Sequence, residues 1–174
     1  MAWAKPQYGK GQIDRAGEIL ALSEANPLFV SEAEIDSATA IVNNWRAIHS
    51  YPLQTMKMTL KRRAKRICQT AIIAQRLKRL ASIKLKLKLS KETGKHPNLS
   101  QMQDIGGCRA VMETVSEVRR LEKLFADASK KNPHRGPQYY KTSDYIATPK
   151  NNGYRSAHLV YRFRTDSSKH SCYN

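Results

Sequence analysis

An α+β fold follows from a change of period partway along the chain. Apolar residues recur at three- and four-residue spacing through the first half, whereas alternation and a glycine-entered apolar run appear in the second. Helices first, then strands mixed with helices, is the order of an α+β domain. At 174 residues and 19.8 kDa the chain suits one domain with a buried core. A hydrophobic content of 40% with 7 prolines argues for a folded chain.

Asp14 to Leu22 is a short helical candidate ended by Asn26-Pro27. Ile35, Ala38, Val42, Trp45 and Ile48 then trace one apolar helical face. After a break expected at Pro52, Leu53, Met56, Leu60, Ala64, Ile67 and Ala71 trace another. Trp45 and the methionines read as core residues between these helices. Ile83 to Leu89 alternates strictly with lysine, which favours a strand by period and a helix by propensity. The residue pattern leaves both open. Asp104 to Met112 reads as a strand entered through Gly106-Gly107. Val115, Val118, Leu121, Phe125 and Ala128 form a further helical face, and Asn132 to Pro137 a loop. Tyr139 to Ile146 is a strand candidate, and Ala157 to Arg164 alternates as a strand with one buried face.

Charge narrows the function. Lys+Arg is 31 against 14 Asp+Glu, a net charge of +17, which points to a polyanionic partner such as nucleotide phosphates or nucleic acid. The excess is uneven: thirteen basic residues and no acid lie between Lys57 and Lys91. A merely solvated helix face mixes signs to gain i,i+4 pairs, so this run reads as a surface turned to an anion. Cys68, Cys108 and Cys172 stand in no metal-binding spacing and read as reduced thiols. The start of the chain has no apolar signal core and no run reaches transmembrane length, so a cytoplasmic protein without membrane contact is expected. The oligomeric state is left open.

Four elements share the logic of a phosphate-handling site. Arg76 and Lys78 share one face if extended, offering a guanidinium that stacks or forks and an ammonium that acts as a point charge. Asp104, beside two glycines in a basic protein, suits Mg²⁺ bridging substrate phosphates, or equally a turn. Arg109 follows five residues on. Asp144 to His158 combines tyrosines, Lys150, an Asn-Asn-Gly turn and a histidine, a mixture suited to a flat base and its phosphates.

In combination these residues resemble the RelA/SpoT-type alarmone synthetase domain, the nucleotide pyrophosphokinases that make (p)ppGpp in the stringent response. The likeness rests on Arg76-x-Lys78-x-x-x-Ser82-Ile83-x-x-Lys86, on Asp104-Ile-x-Gly107-x-Arg109, and on Asp144-Tyr-Ile-x-x-Pro149-Lys150-x-x-Gly153-Tyr154-x-Ser156-x-His158. The opening Trp3-Ala-Lys-Pro-Gln-Tyr is similar to a single-domain branch of that family.

The resemblance implies a nucleotidyltransferase-like synthetase fold, a mixed sheet flanked by helices. Residues 1–52 form an N-terminal helical segment, and 53–174 the synthetase domain packed with it as one unit. It implies Arg76 to Arg79 as strand and Ser82 to Lys91 as helix. It further implies a GTP diphosphokinase-like transferase moving pyrophosphate from ATP to the 3′-hydroxyl of GDP or GTP. Arg76 and Arg109 would sandwich adenine, with Lys78 and Ser82 on the ATP phosphates and Asp104 on Mg²⁺. Tyr154 would stack on guanine, with Lys150, Asn152 and His158 toward the acceptor nucleotide. The catalytic set so implied is Asp104, Lys78 and His158.

The sequence contains no His-Asp dipeptide, so hydrolysis of the alarmone is not expected. It also contains no Glu-x-Gln-x-Arg, whose glutamate is the family's second metal carboxylate, and Asp166 reads as part of a polar turn. A truncated synthetase lacking its last strands, with weak or no turnover, is the expectation. The alternatives are a toxin-type relative that pyrophosphorylates the 3′ end of tRNA, and a non-catalytic basic RNA-binding module.

Overall fold

In a computed structural model, which describes residues 3–94, 98–131, 137–164 and 171–173, the helical spacing of the first half becomes three helices. These are α1 (Lys10–Ala25), α2 (Glu32–Ile48) and α3 (Ser50–Ile67). α2 starts at a capping box: the Glu34 N–H donates to Ser31 Oγ at 3.3 Å, and the Ser31 N–H donates to Glu34 Oε2 at 2.9 Å. Pro52 does not break the chain as expected. It sits in the first turn of α3, where a missing N–H costs no helical bond.

The remaining elements are β1 (Ile72–Leu77), α4 (Leu80–Glu92), β2 (Gly106–Val111), α5 (Val115–Lys131), β3 (Gln138–Asp144), β4 (Ala157–Arg164) and β5 (Ser171–Tyr173). The class is α+β, with the strands in two sheets: β1 with β2, and β3-β4-β5. The ambiguous Leu/Lys segment is helix α4. Ile83 and Leu87, four residues apart, are buried, while Leu85 and Leu89 are left in solvent. Helix propensity therefore outweighs the local alternation. The Asn132–Pro137 loop lies, apart from Pro137, outside the described residues, as does Asp166.

The chain divides into two compact units that interleave in sequence. One comprises Met1–Tyr51 with Leu77–Gly107, the other Pro52–Arg76 with Cys108–Asn174. In the first, α1 and α2 bury Leu20, Val42 and Trp45, and α4 and the following turn add Ile83, Leu87 and Leu99. Gly17 lets α1 approach closely, since a Cβ there would lie 2.8 Å from Leu99 Cβ. The Asp14 carboxylate accepts from the Ser100 N–H at 2.8 Å and Oγ at 2.9 Å, which fixes the same approach.

The second unit has its core in Met56, Ala64, Cys68, Leu121, Phe125 and Tyr161. β3 and β4 are antiparallel, with Ser143 opposite His158 and Asp144 opposite Ala157. That register puts residues 145–156 into one loop closed at its base. The ladder shifts between Tyr139 and Lys141. Thr114 stands just before α5, and its Oγ1 accepts from the Glu117 N–H at 3.2 Å. Cys68 and Cys108 are free thiols, and burial pushes the Cys108 thiol up to about 11. No helix among the described residues is long and apolar enough to cross a membrane.

His49 is fully buried in the first unit, edge-on to Trp45 at 4.7 Å. Its Nδ1 lies 2.7 Å from the Trp45 carbonyl, which can only accept, so Nδ1 carries the proton. Burial, only partly offset by that bond, pushes its pKa from 6.5 down to about 4. The unfolded imidazole therefore binds a proton that the folded one refuses. Stability is full above about pH 6.5 and falls as pH drops toward 4. Between pH 7 and pH 4 the wild type is expected to lose about 3 kcal/mol more than His49→Gln in denaturant titrations. Equal losses in both proteins would remove His49 from this account.

Candidate active site

The first cluster belongs wholly to the first unit. The ladder between β1 and β2 continues one step further, with the Lys78 N–H donating to the Ile105 carbonyl at 2.7 Å. That bond sets Lys78 beside the residue preceding Ile105, which is Asp104. Lys78 Nζ then donates to Asp104 Oδ2 at 2.8 Å. Arg46 holds the Lys78 backbone from the other side, its Nε donating to the Lys78 carbonyl at 2.9 Å. Lys86, one turn beyond Ser82 on α4, donates to Asp104 Oδ1 at 2.7 Å. One carboxylate thus carries an ammonium on each oxygen.

Burial alone would raise the Asp104 carboxyl. The hydrogen bonds and charges of Lys78 and Lys86 outweigh it and hold the group below the ordinary carboxylate value. The Lys78 side chain is 13% exposed, against 46% for Lys86 and 49% for Asp104. Lys78 is therefore the more enclosed of the two, and exposed pairs such as Lys86 with Asp104 are individually weak. Ser82 is exposed in the first turn of α4, whose N-cap Arg79 gives no side-chain cap. The first amides of α4 are left to an outside acceptor, and a helix start favours an anion.

The second cluster belongs wholly to the second unit and is built by the loop between β3 and β4. Asp144 starts it: its Oδ1 accepts from the Ile146 and Ala147 N–H groups at 3.0 and 3.1 Å, and Arg119 pairs with its Oδ2 at 2.8 Å. Those bonds, the Ala147 amide first, hold the Asp144 carboxyl below its ordinary value. The tip turns at Lys150–Gly153, where the Gly153 N–H donates to the Lys150 carbonyl at 2.8 Å. Gly153 has φ +77°, a conformation side chains with Cβ rarely adopt. Asn152 Oδ1 accepts from the Tyr154 N–H at 3.1 Å and so orients that residue.

Tyr154 and His158 then meet, with the phenol oxygen and Nε2 2.8 Å apart. Tyr145 closes the group, its ring 6.0 Å from Tyr154 and 5.1 Å from His158, both edge-on. Lys150 Nζ lies over Tyr145 at 4.6 Å and over Tyr154 at 5.5 Å. Burial first, and then the Lys150 charge, lower the His158 pKa below 6.5. Tyr154 is 43% exposed, leaving a ring surface available for stacking.

Arg76 on β1 and Arg109 on β2 are exposed on paired strands, and neither enters an ion pair among the described residues. The structure thus joins Lys78 to Asp104, and Lys150 and Asn152 to Tyr154 and His158. Sequence reasoning had given no role to Lys86, Tyr145 or Arg119. Lys86 carried a signal in its position four residues after Ser82, on the same helical face. Cys68 Sγ with the Glu113 and Glu117 carboxylates also forms a group of potential metal ligands. Glu117 is spent there on the Glu113 and Thr114 N–H groups, at 3.0 Å each, and Glu113 on Thr70.

The family model described as "Region found in RelA / SpoT proteins" matches residues 75–172, more than half of the chain. The chain belongs to that family. It carries a transferase domain of the RelA/SpoT type. No curated protein matches it in sequence. Among solved structures it is similar to small alarmone synthetase 1 from Bacillus subtilis bound to its product pppGpp, at 22% identity over 75% of this chain and 68% of that one, with a TM-score of 0.53. Small alarmone synthetase 2 from Bacillus subtilis gives 22%, 75%, 66% and 0.53. A GTP pyrophosphokinase family protein from Streptococcus pneumoniae gives 22%, 74%, 64% and 0.55. The chain spans about two thirds of the length of these proteins, and at such identity the likeness is one of fold.

His158 is expected to titrate below pH 6.5 in an NMR titration. Replacing Lys150 with Met removes the nearby charge and should move that titration upward; an unmoved His158 would show that Lys150 does not sit over this cluster.

Proposed function

We propose that this RelA/SpoT domain transfers the terminal pyrophosphate of ATP to the ribose 3′-hydroxyl of GDP or GTP. The observation that carries this reading is the Asp104 carboxylate held between Lys78 and Lys86 at 2.8 and 2.7 Å. Ammonium groups placed to grip two carboxylate oxygens grip phosphate oxygens in the same way. Next to them, the uncapped start of α4 with Ser82 offers amide and hydroxyl donors to the donor's phosphates. Arg76 and Arg109 supply guanidinium planes for adenine.

The acceptor would lie on the β3–β4 loop. Tyr154 stacks on guanine, while Lys150 leaves the tyrosine faces for the acceptor's phosphates, assisted by Asn152 and His158. His158 is neutral at pH 7, so it meets those phosphates as a hydrogen-bonding group rather than a cation. In the transfer, the 3′ oxygen bonds to the β-phosphorus of ATP and the bridge to the α-phosphate breaks. AMP and the hydroxyl proton are released. The product pppGpp bound by small alarmone synthetase 1 from Bacillus subtilis is in keeping with a guanine-nucleotide acceptor.

Asp104 fits a Mg²⁺ ligand. It is half exposed, ionised, and held by side chains that a triphosphate would draw away. Mg²⁺ takes one or two carboxylates and completes its shell with water and phosphate. When bound, the ion would neutralise charge on the transferring group.

With γ-labelled ATP, slow transfer of the label to a guanosine nucleotide is expected, with AMP as co-product, since Asp104 stands without the family's second carboxylate. Tyr154→Ala should weaken GDP binding by about 1–3 kcal/mol, roughly 5- to 150-fold, and leave ATP binding unchanged. Unchanged GDP affinity, or label found only on the 3′ end of deacylated tRNA, would overturn the proposal.

A further inference from the structure

Arg46 stands in the last turn of α2, and no ion pair among the described residues includes it. Its guanidinium is divided instead between two neutral acceptors. Nε donates to the Lys78 carbonyl at 2.9 Å, and Nη1 donates to Asn43 Oδ1 at 2.9 Å. The turn that presents it is anchored on both flanks. Trp45 and Ile48 are buried, and the Trp45 carbonyl accepts from His49 Nδ1 at 2.7 Å. Asn44 ties down the start of the chain, accepting from the Gln7 N–H at 3.2 Å and donating to the Lys5 carbonyl at 3.1 Å.

The carbonyl that Arg46 reaches lies at the joint between β1 and α4. The Lys78 N–H is already taken by the Ile105 carbonyl at 2.7 Å, so with Arg46 both backbone polar groups of Lys78 are held. The next residue, Arg79, is the extended N-cap of α4, with φ −64° and ψ 146°. On one side of this joint the Lys78 ammonium meets Asp104, and on the other lies the uncapped start of α4 with Ser82. All of these residues belong to the first unit. A planar guanidinium that donates in two directions sets the angle of the joint to α2 as well as its distance.

We propose that Arg46 is a positioning residue for the pyrophosphate donor. This rests on the reading of Lys78 and Ser82 as ligands of the donor's phosphates, and Arg46 acts through Lys78 without touching the nucleotide. When phosphate oxygens replace Asp104 on Lys78, the ion pair that held the ammonium is lost, whereas the two backbone bonds remain. They keep Nζ and the first amides of α4 at one spacing while the polyphosphate binds. A link that served stability alone would affect ATP and GDP binding alike, through the folded fraction. A link acting through Lys78 affects ATP alone, and only while residue 78 is lysine.

The test is a double-mutant cycle on the full chain, read as affinity for a non-hydrolysable ATP analogue with Mg²⁺. GDP affinity and far-UV circular dichroism serve as references. Arg46→Gln should weaken the analogue by about tenfold and leave GDP binding unchanged. In a Lys78→Met background the same substitution should weaken it by less than about twofold. Arg46→Lys keeps a charged donor and should lose only about threefold; it carries the same cycle should Arg46→Gln fail to fold. Undiminished analogue affinity, the same factor lost in both backgrounds, or a matching loss of GDP affinity would overturn the proposal. If Lys78→Met itself leaves analogue affinity intact, the donor-site reading fails, and this inference fails with it.

Discussion

The backbone hydrogen bond from Lys78 to Ile105 is the constraint on which the Lys78–Asp104–Lys86 cluster depends. It extends the β1–β2 ladder by one step and brings together two residues 26 positions apart, Lys78 and Asp104. Without it, an ionised carboxylate would stand alone in a strongly basic chain. With it, Asp104 pairs with two ammonium groups, Lys78 on one oxygen and Lys86 on the other. Arg46 secures the same strand end from α2, which ties that helix to the Lys78–Asp104 pair.

The cluster on the β3–β4 loop follows a different principle. It is built almost entirely within one loop, closed at its base by the β3–β4 register and braced by the Arg119–Asp144 pair. Tyr145, Tyr154 and His158 pack edge-on, and Lys150 covers them. A cation resting on tyrosine faces is easily displaced by a base that stacks and phosphates that pair. Both clusters thus hold lysines on internal partners, a carboxylate in one and tyrosine rings in the other.

Much of this was legible because it was periodic or local. The faces of α2, α3 and α5 stand at helical spacing, and Gly153 with Asn152 announces its turn. The α4 segment was not, because Leu and Lys satisfy two periods at once, and only burial of Ile83 and Leu87 decides between them. The partners of Lys86, a motif position without an assigned role, and of Arg119 were hidden for a related reason. A lysine or arginine on a helix is solvent-facing by default, and their partners, Asp104 and Asp144, lie 18 and 25 residues away. The interleaving of the two units was equally hidden. Residues 77–107 join the N-terminal helices through the Gly17–Leu99 approach and the Asp14–Ser100 bonds, contacts that no local pattern encodes.

The central claim is that Lys78 and Lys86 exchange Asp104 for the phosphates of the donor. Binding of a non-hydrolysable ATP analogue in the presence of Mg²⁺ tests it most directly, comparing wild type with Lys86→Met. Loss of one charge-assisted hydrogen bond should weaken the analogue by about tenfold or more, with GDP affinity unchanged. An ATP-analogue affinity equal to that of the wild type would contradict the account.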